Sequence, residues 1–205
     1  LLSMNSNKII YSVFISEIAW REFYQMILCQ FPAVEKMPFK EKYKNIKWKG
    51  SIKELNAWKN GKTGYPIIDA AMRCLNTTGL MPNRLRMVTA SFLCKTLLVD
   101  WKKGEKYFAK KLLDYDLAAN NGGWQWCSSS GCDSQPYFRI FNPYSQSKKF
   151  DPEGSFIRKW CPELKNLSNN DIHQPPSKLI NYPTPIVDYK KSRTKALKMY
   201  KRAIG

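Results

Sequence analysis

Apolar residues recur at helical spacing in segment after segment of this chain, and proline or glycine closes most of the segments. From Ile9 to Phe31 the residues Val13, Ile18, Phe23 and Ile27 keep that period until Pro32 stops it. Tyr65-Pro66 opens a second helix, since proline suits a first turn whose N–H has no partner anyway, and the face Ile67, Ala70, Ala71, Cys74, Leu75 runs on to Gly79. A third helix is predicted from about Asn83 to Trp101. Gly104 should then break the pattern before a short basic amphipathic helix from Lys106 to Leu113. Between Pro38 and Lys53 lies a lysine-rich connection with Trp48 and no clear period. Pro136, Pro143, Pro152 and Pro162 leave room only for short helices, one of them over Ser155 to Trp160, and Pro175-Pro176, Pro183 and Pro185 extend the chain before a basic terminal helix. Strand alternation persists nowhere, so the expected class is all-α. At 205 residues and 43% hydrophobic, a single domain spanning 1–205 can bury one sizeable core.

Charge narrows the partners. Lysine and arginine outnumber aspartate and glutamate by 34 to 16, a formal +18, so the surface carries a strongly positive field that favours a polyanion, nucleic acid first. The run from Lys190-Lys191-Ser192-Arg193 to Lys201-Arg202 reads as solvated decoration. Six cysteines (Cys29, Cys74, Cys94, Cys127, Cys132, Cys161) stand without a C-x-x-C pair, and His173 is the only histidine, so no metal site is expected. With no signal peptide and no apolar run long enough for a bilayer, the expectation is a cytoplasmic protein with free thiols and no membrane partner. Leu1 rather than Met suggests that the chain begins partway through a longer reading frame.

Two acids, two amides, two glycines and two tryptophans crowd into Asp114-Tyr115-Asp116-Leu117-Ala118-Ala119-Asn120-Asn121-Gly122-Gly123-Trp124-Gln125-Trp126. The glycines let the backbone bend or meet a flat partner closely, the asparagines offer donors and acceptors, and the indoles supply π faces. Such a mixture suits a planar, heteroatom-rich ring. Glu17, Trp20, Arg21 and Tyr24 follow at i, i+3, i+4 and i+7 and share a face. That face is either an amphipathic edge with Glu17 paired to Arg21, or a stacking site for an unstacked base. Asn83-Arg84-Leu85-Arg86-Met87 opens the third helix, with Asn83 and Met87 one turn apart. These residues read either as a cap followed by filler or as polar heads at an anion-favouring terminus. Trp48, Trp101 and Trp124 are either core aromatics or a chain able to carry an electron.

Taken in order, Ser16-Glu17-Ile18-Ala19-Trp20-Arg21-Glu22-Phe23-Tyr24, Gly61-Lys62-Thr63-Gly64-Tyr65-Pro66, Asn83-Arg84-Leu85-Arg86-Met87, Asp114 to Trp126 and Tyr137-Phe138-Arg139-Ile140-Phe141-Asn142-Pro143 resemble the C-terminal FAD-binding helical domain of the photolyase and cryptochrome family. The resemblance is to the bacterial class I enzymes for cyclobutane pyrimidine dimers, and it runs nearly end to end. It departs at Pro82, where related enzymes commonly carry His. It also implies a domain incomplete at its N-terminal side, without the α/β antenna domain and the loop that grips the flavin phosphates, so that a second antenna chromophore belongs only to a full-length form. By this similarity FAD is the cofactor: Asn120 contacts its ring, Asp114 pairs with Arg86, and Asp114, Tyr115 and Asp116 cradle the ring's edge. Trp124, Trp101 and Trp48 stand as the photoreduction chain. Glu17, Trp20, Asn83, Arg84, Met87 and Trp126 stand where the family touches the flipped-out dimer, and Ile18, Ala19, Arg21, Glu22, Phe23, Tyr24 and Gln146 stand at further DNA-binding positions. The implied activity is light-driven repair of pyrimidine dimers in damaged DNA by a monomer. Its alternatives are a cryptochrome-like flavin photosensor and a truncated DNA-associating remnant.

Overall fold

The computed structural model describes residues 2–176 and 181–204. Among the described residues the fold is helical throughout: α1 (Leu2–Gln30), α2 (Ile52–Lys59), α3 (Pro66–Thr78), α4 (Asn83–Ser91), α5 (Trp101–Lys111), α6 (Leu117–Cys127), α7 (Pro143–Phe150), α8 (Ser155–Trp160) and α9 (Tyr189–Ala203). Local chemistry sets most boundaries. Pro66 opens α3 and Gly79 closes it in the left-handed region at φ 70°, as the sequence predicts. Helix α2 falls partly in the stretch read as a connection. Ser51 accepts from the Glu54 amide while Glu54 Oε2 accepts from the Ser51 amide at 2.6 Å, a reciprocal cap that fixes its start.

The third helix is shorter than predicted. After Ser91 the backbone widens into a π turn over Phe92–Thr96, and Leu98 reverses the chain at φ 56° while its carbonyl accepts the amides of Lys49 and Gly50. Asp100 then accepts from the Lys102 amide and caps α5, which starts at Trp101 and holds Gly104 in its interior. Gly104 is therefore a contact residue and not a breaker: a Cβ there would lie 2.2 Å from the Trp124 indole and 2.5 Å from Leu93.

The main core gathers Trp58, Ile68, Met72, Leu75, Leu93, Phe108, Ile157 and Leu164, with α3 packed on α8 and α5 on α6. Each such side chain contributes about 1.5–3 kcal/mol on burial. A second cluster joins Tyr43, Ile46 and Leu98 to Ala196, Met199 and Tyr200 of α9, and the Tyr200 hydroxyl donates to the Ser128 carbonyl at 2.7 Å. Thus the basic terminal helix is anchored on one face and solvated on the other. Two buried charges tie loops to helices. Asp69 accepts from the Thr63 amide and hydroxyl, the Gly64 amide and the Tyr182 hydroxyl; burial lifts its carboxyl above the usual range, and these four donors hold it back. Lys95 of the π turn donates to Ser129 Oγ and to the Arg139 carbonyl, and burial lowers its ammonium to about 8.

Gly104→Ala should destabilise the protein by about 1–3 kcal/mol, because the added methyl must push the Trp124 ring or spread α5 from α6. Urea unfolding checks the stability and near-ultraviolet circular dichroism checks the indole's displacement; an unchanged midpoint would contradict the close approach.

Candidate functional site

Helices α1, α4 and α6 enclose a cavity of about 650 Å³, with α5 and the Asp114–Asp116 segment completing its wall. Its placement follows from α6. Asp116 caps that helix by accepting from the Ala119 amide at 2.8 Å, while its other oxygen accepts from Gln25 Nε2 of α1, also at 2.8 Å. One carboxylate thereby fixes the start of α6 and its alignment with α1. Asp116, Asn120, Gly123, Trp124 and Cys127 recur at helical spacing on the cavity side. The opposite side is structural. Asn121 and Gln125 donate to the Val34 carbonyl, and a Cβ on Gly122 would lie 2.2 Å from the Tyr24 ring.

The amides and glycines of the motif thus divide their work. Asn120 lines the cavity and donates to the Glu105 carbonyl, whereas Asn121 holds the turn over Pro32–Glu35. Of the two expectations for Gly122 and Gly123, a bend or a close approach to a flat group, the bend is absent. Both sit in regular helix, Gly122 for contact with α1 and Gly123 facing open space, where an added Cβ would meet nothing within 4 Å.

From α4, Asn83, Arg86, Met87 and Ala90 reach the cavity at i, i+3, i+4 and i+7. Arg86 is held on two sides: Nε donates to the Met81 carbonyl at 2.7 Å, and Nη2 donates to both Asp114 oxygens at 2.9 and 2.7 Å. Its partner is solvent-exposed, so the ion pair is worth at most about 1 kcal/mol and acts chiefly to place the Asp114–Asp116 segment. From α1, Glu17, Trp20, Arg21 and Tyr24 line the cavity together, and among the described residues Glu17 and Arg21 form no ion pair with each other. Burial, followed by the nearby Asp133 carboxylate, pushes the Tyr24 phenol up to about 12, so it stays a neutral donor.

Trp126 faces the same space, and Trp124 is buried at its floor with Phe108 and Trp58 at ring separations of 5.0 and 6.0 Å. Several expected residues lie elsewhere. Trp101 is buried in the main core and Trp48 is half-buried where the two cores meet. Ile18, Ala19 and Glu22 are exposed and do not line the cavity, because consecutive helical positions cannot share one face. Phe23 lines a separate small hollow with Ile27 and Phe39. Arg84 leaves the cavity to lie 4.7 Å over the Phe150 ring, and Gln146 sits on α7 with its Oε1 buried and unpartnered. Met81, Phe108 and Leu112 are wall residues that carried no polar signal in the sequence. Ala90 and Cys127 were legible only as one further turn of the Asn83 and Asn120 faces.

Among the described residues no group of acids, thiols or imidazoles could hold a metal ion, and no helix is long and apolar enough to cross a membrane. Among the described residues, then, a helical fold holds an aromatic, amide-lined cavity between three helices, the kind of concave site that small ligands occupy. Residues 14–202 match the family model for the FAD binding domain of DNA photolyase, and the chain belongs to that family. It is 54% identical over 198 residues to the deoxyribodipyrimidine photo-lyase of Vibrio cholerae, a match covering 94% of this chain and 42% of the relative. In structure it is similar to a bacterial class III photolyase from Agrobacterium tumefaciens, with a TM-score of 0.90 and 44% identity over 94% of this chain and 42% of that one. A Synechocystis cryptochrome gives a TM-score of 0.86 and 36% identity over 92% of this chain and 41% of that one. The chain therefore spans less than half the length of each of these relatives.

The adjacent glycines of α6 should answer alanine oppositely. Gly123→Ala should stabilise the protein by about 0.5–1 kcal/mol, since the methyl enters open space and favours helix. Gly122→Ala should cost about 1–3 kcal/mol against the Tyr24 ring. Urea unfolding of both variants gives the comparison; equal effects would show that α6 is rotated from this placement.

Proposed function

We propose that this chain is the flavin- and lesion-holding part of a light-driven DNA repair enzyme acting on cyclobutane pyrimidine dimers. The observation that carries the reading is that Trp20, Asn83, Asn120 and Trp126, from three separate helices, line one cavity. The cavity suits the ring end of FAD: Gly123 leaves its wall free of a side chain, Trp124 and Phe108 form an apolar floor, and Asn120 supplies an amide. Asn120, Arg86, Asp114, Tyr115 and Asp116 are the residues that would hold it. When bound, reduced and excited by blue light, FAD supplies the electron that opens the cyclobutane ring.

The chain's own groups provide placement. The +18 charge gathers the duplex through its phosphates. A dimer, already poorly stacked, leaves the helix at a cost of a few kcal/mol and is received between the Trp20 and Trp126 faces. Asn83 and Met87 border it, and Glu17 hydrogen-bonds the pyrimidine edge or supplies a proton to the ring once it is reduced. Trp48, which is half-buried, with Trp101 and Trp124 would pass an electron from a reductant in solution to the cavity floor, where it would restore a reduced cofactor. Arg84 and Gln146, off the cavity, contact DNA beside it. Ile18, Ala19 and Glu22, exposed, and Phe23, half-buried, would meet DNA only outside the cavity.

The test is blue-light repair of a dimer-containing oligonucleotide with FAD, by the chain and by a chimera joining it to the rest of the Vibrio cholerae relative. Repair by the chimera supports the proposal. Flavin uptake without repair would instead favour a photosensor, in line with the likeness to a cryptochrome, and DNA binding without flavin would favour an inactive remnant. Trp124→Phe in the chimera should slow photoreduction at least tenfold yet spare repair by chemically reduced protein. Equal loss of both would remove Trp124 from the relay.

A further inference from the structure

Half of the chain's excess positive charge sits on a face that the cavity does not share. The segments 41–49 and 188–204 carry eleven lysines and arginines, all exposed, against Glu41 and Asp188, a net +9 of the total +18. Packing joins the two segments: Tyr43 and Ile46 are buried with Ala196, Met199 and Tyr200 in the second cluster, and the Tyr43 and Tyr200 rings lie 5.8 Å apart. Among the described residues neither segment lines the cavity. The charged side chains that do line it, Glu17, Asp114 and Asp116 with Arg21 and Arg86, amount to a net −1, so the cavity wall does not itself draw phosphates.

On α9 the cations are ordered. Lys191, Lys195, Lys198 and Arg202 follow at i, i+4, i+7 and i+11 and form one stripe roughly 16 Å long. One strand of a DNA duplex presents about five phosphates over that length. Every exposed position of α9 is lysine or arginine except Thr194, and among the described residues none of the eleven cations forms an ion pair. An external polyanion relieves the self-repulsion of such a row. We infer that this face, α9 with the lysines of 41–49, is a docking surface for the sugar–phosphate backbone of undamaged duplex DNA, set apart from the cavity. The exposed side of α9 offers no ring on which a single-stranded base could stack, and its apolar side is buried in the second cluster, where it cannot enter a membrane. Backbone contact of this kind reads neither sequence nor lesion. The inference rests on the proposed function only in taking DNA as the polyanion, and it assigns duplex search to one surface and dimer capture to another.

Fluorescence anisotropy of the chain with an undamaged duplex of about 20 base pairs, titrated between about 50 and 200 mM salt, tests it. Lys191→Gln, Lys195→Gln and Lys198→Gln together should weaken binding at least tenfold and lower the slope of log affinity against log salt by about 2–3, since each lost phosphate contact removes about 0.9. Lys103→Gln, Lys106→Gln and Lys110→Gln on α5, likewise exposed and equal in the charge removed, should leave the slope unchanged. Circular dichroism verifies that both variants fold. Bound duplex should also shield Lys191, Lys195 and Lys198 from acetylation, read by mass spectrometry, while Lys103 and Lys106 stay reactive. A dimer-containing duplex should lose affinity by the same factor as the undamaged one. Absence of duplex binding, equal losses in the two triple variants, an unchanged slope, a loss confined to the dimer-containing duplex, or a preference for anionic phospholipid vesicles over duplex would each overturn the assignment. Neither flavin nor light enters the measurement, so its outcome is independent of whether the chimera repairs DNA.

Discussion

Helices α1 and α5 can close against α6 around one cavity here because two glycines remove the side chains that would hold them apart. Gly122 lets the Tyr24 ring of α1 settle on the backbone of α6, and Gly104 lets the Trp124 ring of α6 settle on α5. A methyl at either point would enter the space of an aromatic ring, and close-packed interiors absorb such intrusions poorly. With those contacts made, the remaining face of α6 stands clear of its neighbours and presents Asn120, Gly123 and Trp124 to the cavity.

Polar groups then lock the arrangement. Asp116 joins two helices with one carboxylate, Arg86 joins α4 to the segment before α6, and Asn121 with Gln125 fastens α6 to the turn that follows α1. Satisfied polar groups contribute little net stability, but the buried Asn121 and Gln125 penalise any other packing, which is what a preorganised site requires. Lys95 is a costlier element: its ammonium lies in the interior on a hydroxyl and a carbonyl, with no ion pair to it among the described residues, and it marks the π turn that ends α4 early.

Much of this was legible in the sequence where one physical signal acted alone. Pro66 and Gly79 bounded α3, and the i, i+3, i+4, i+7 pattern placed Glu17, Trp20, Arg21 and Tyr24 on one face. Where two signals competed, the sequence misled. Gly104 reads locally as a helix breaker, yet it is required by a ring 20 positions away. The helix after Asn83 kept its apolar period through the π turn, so its end at Ser91 was invisible to periodicity. Helix α2 was missed although Ser51 and Glu54 carry a capping-box spacing, because the lysines around it hid a short apolar face. Residue-by-residue resemblance over Glu17–Tyr24 joins cavity residues to Ile18, Ala19 and Glu22, which helical geometry turns away from the cavity toward solvent.

The central claim is that the space between α1, α4 and α6 receives a planar ring on its Asn120, Gly123 and Trp124 face. A crystal structure of the chain grown with saturating FAD addresses this most directly. The account predicts ring density against Gly123, its edge toward the Arg86–Asp114 pair and Trp124 beneath it. Flavin density outside that cavity, or a filled cavity in which Asn120 and Trp124 have no contact with the ring, would contradict it.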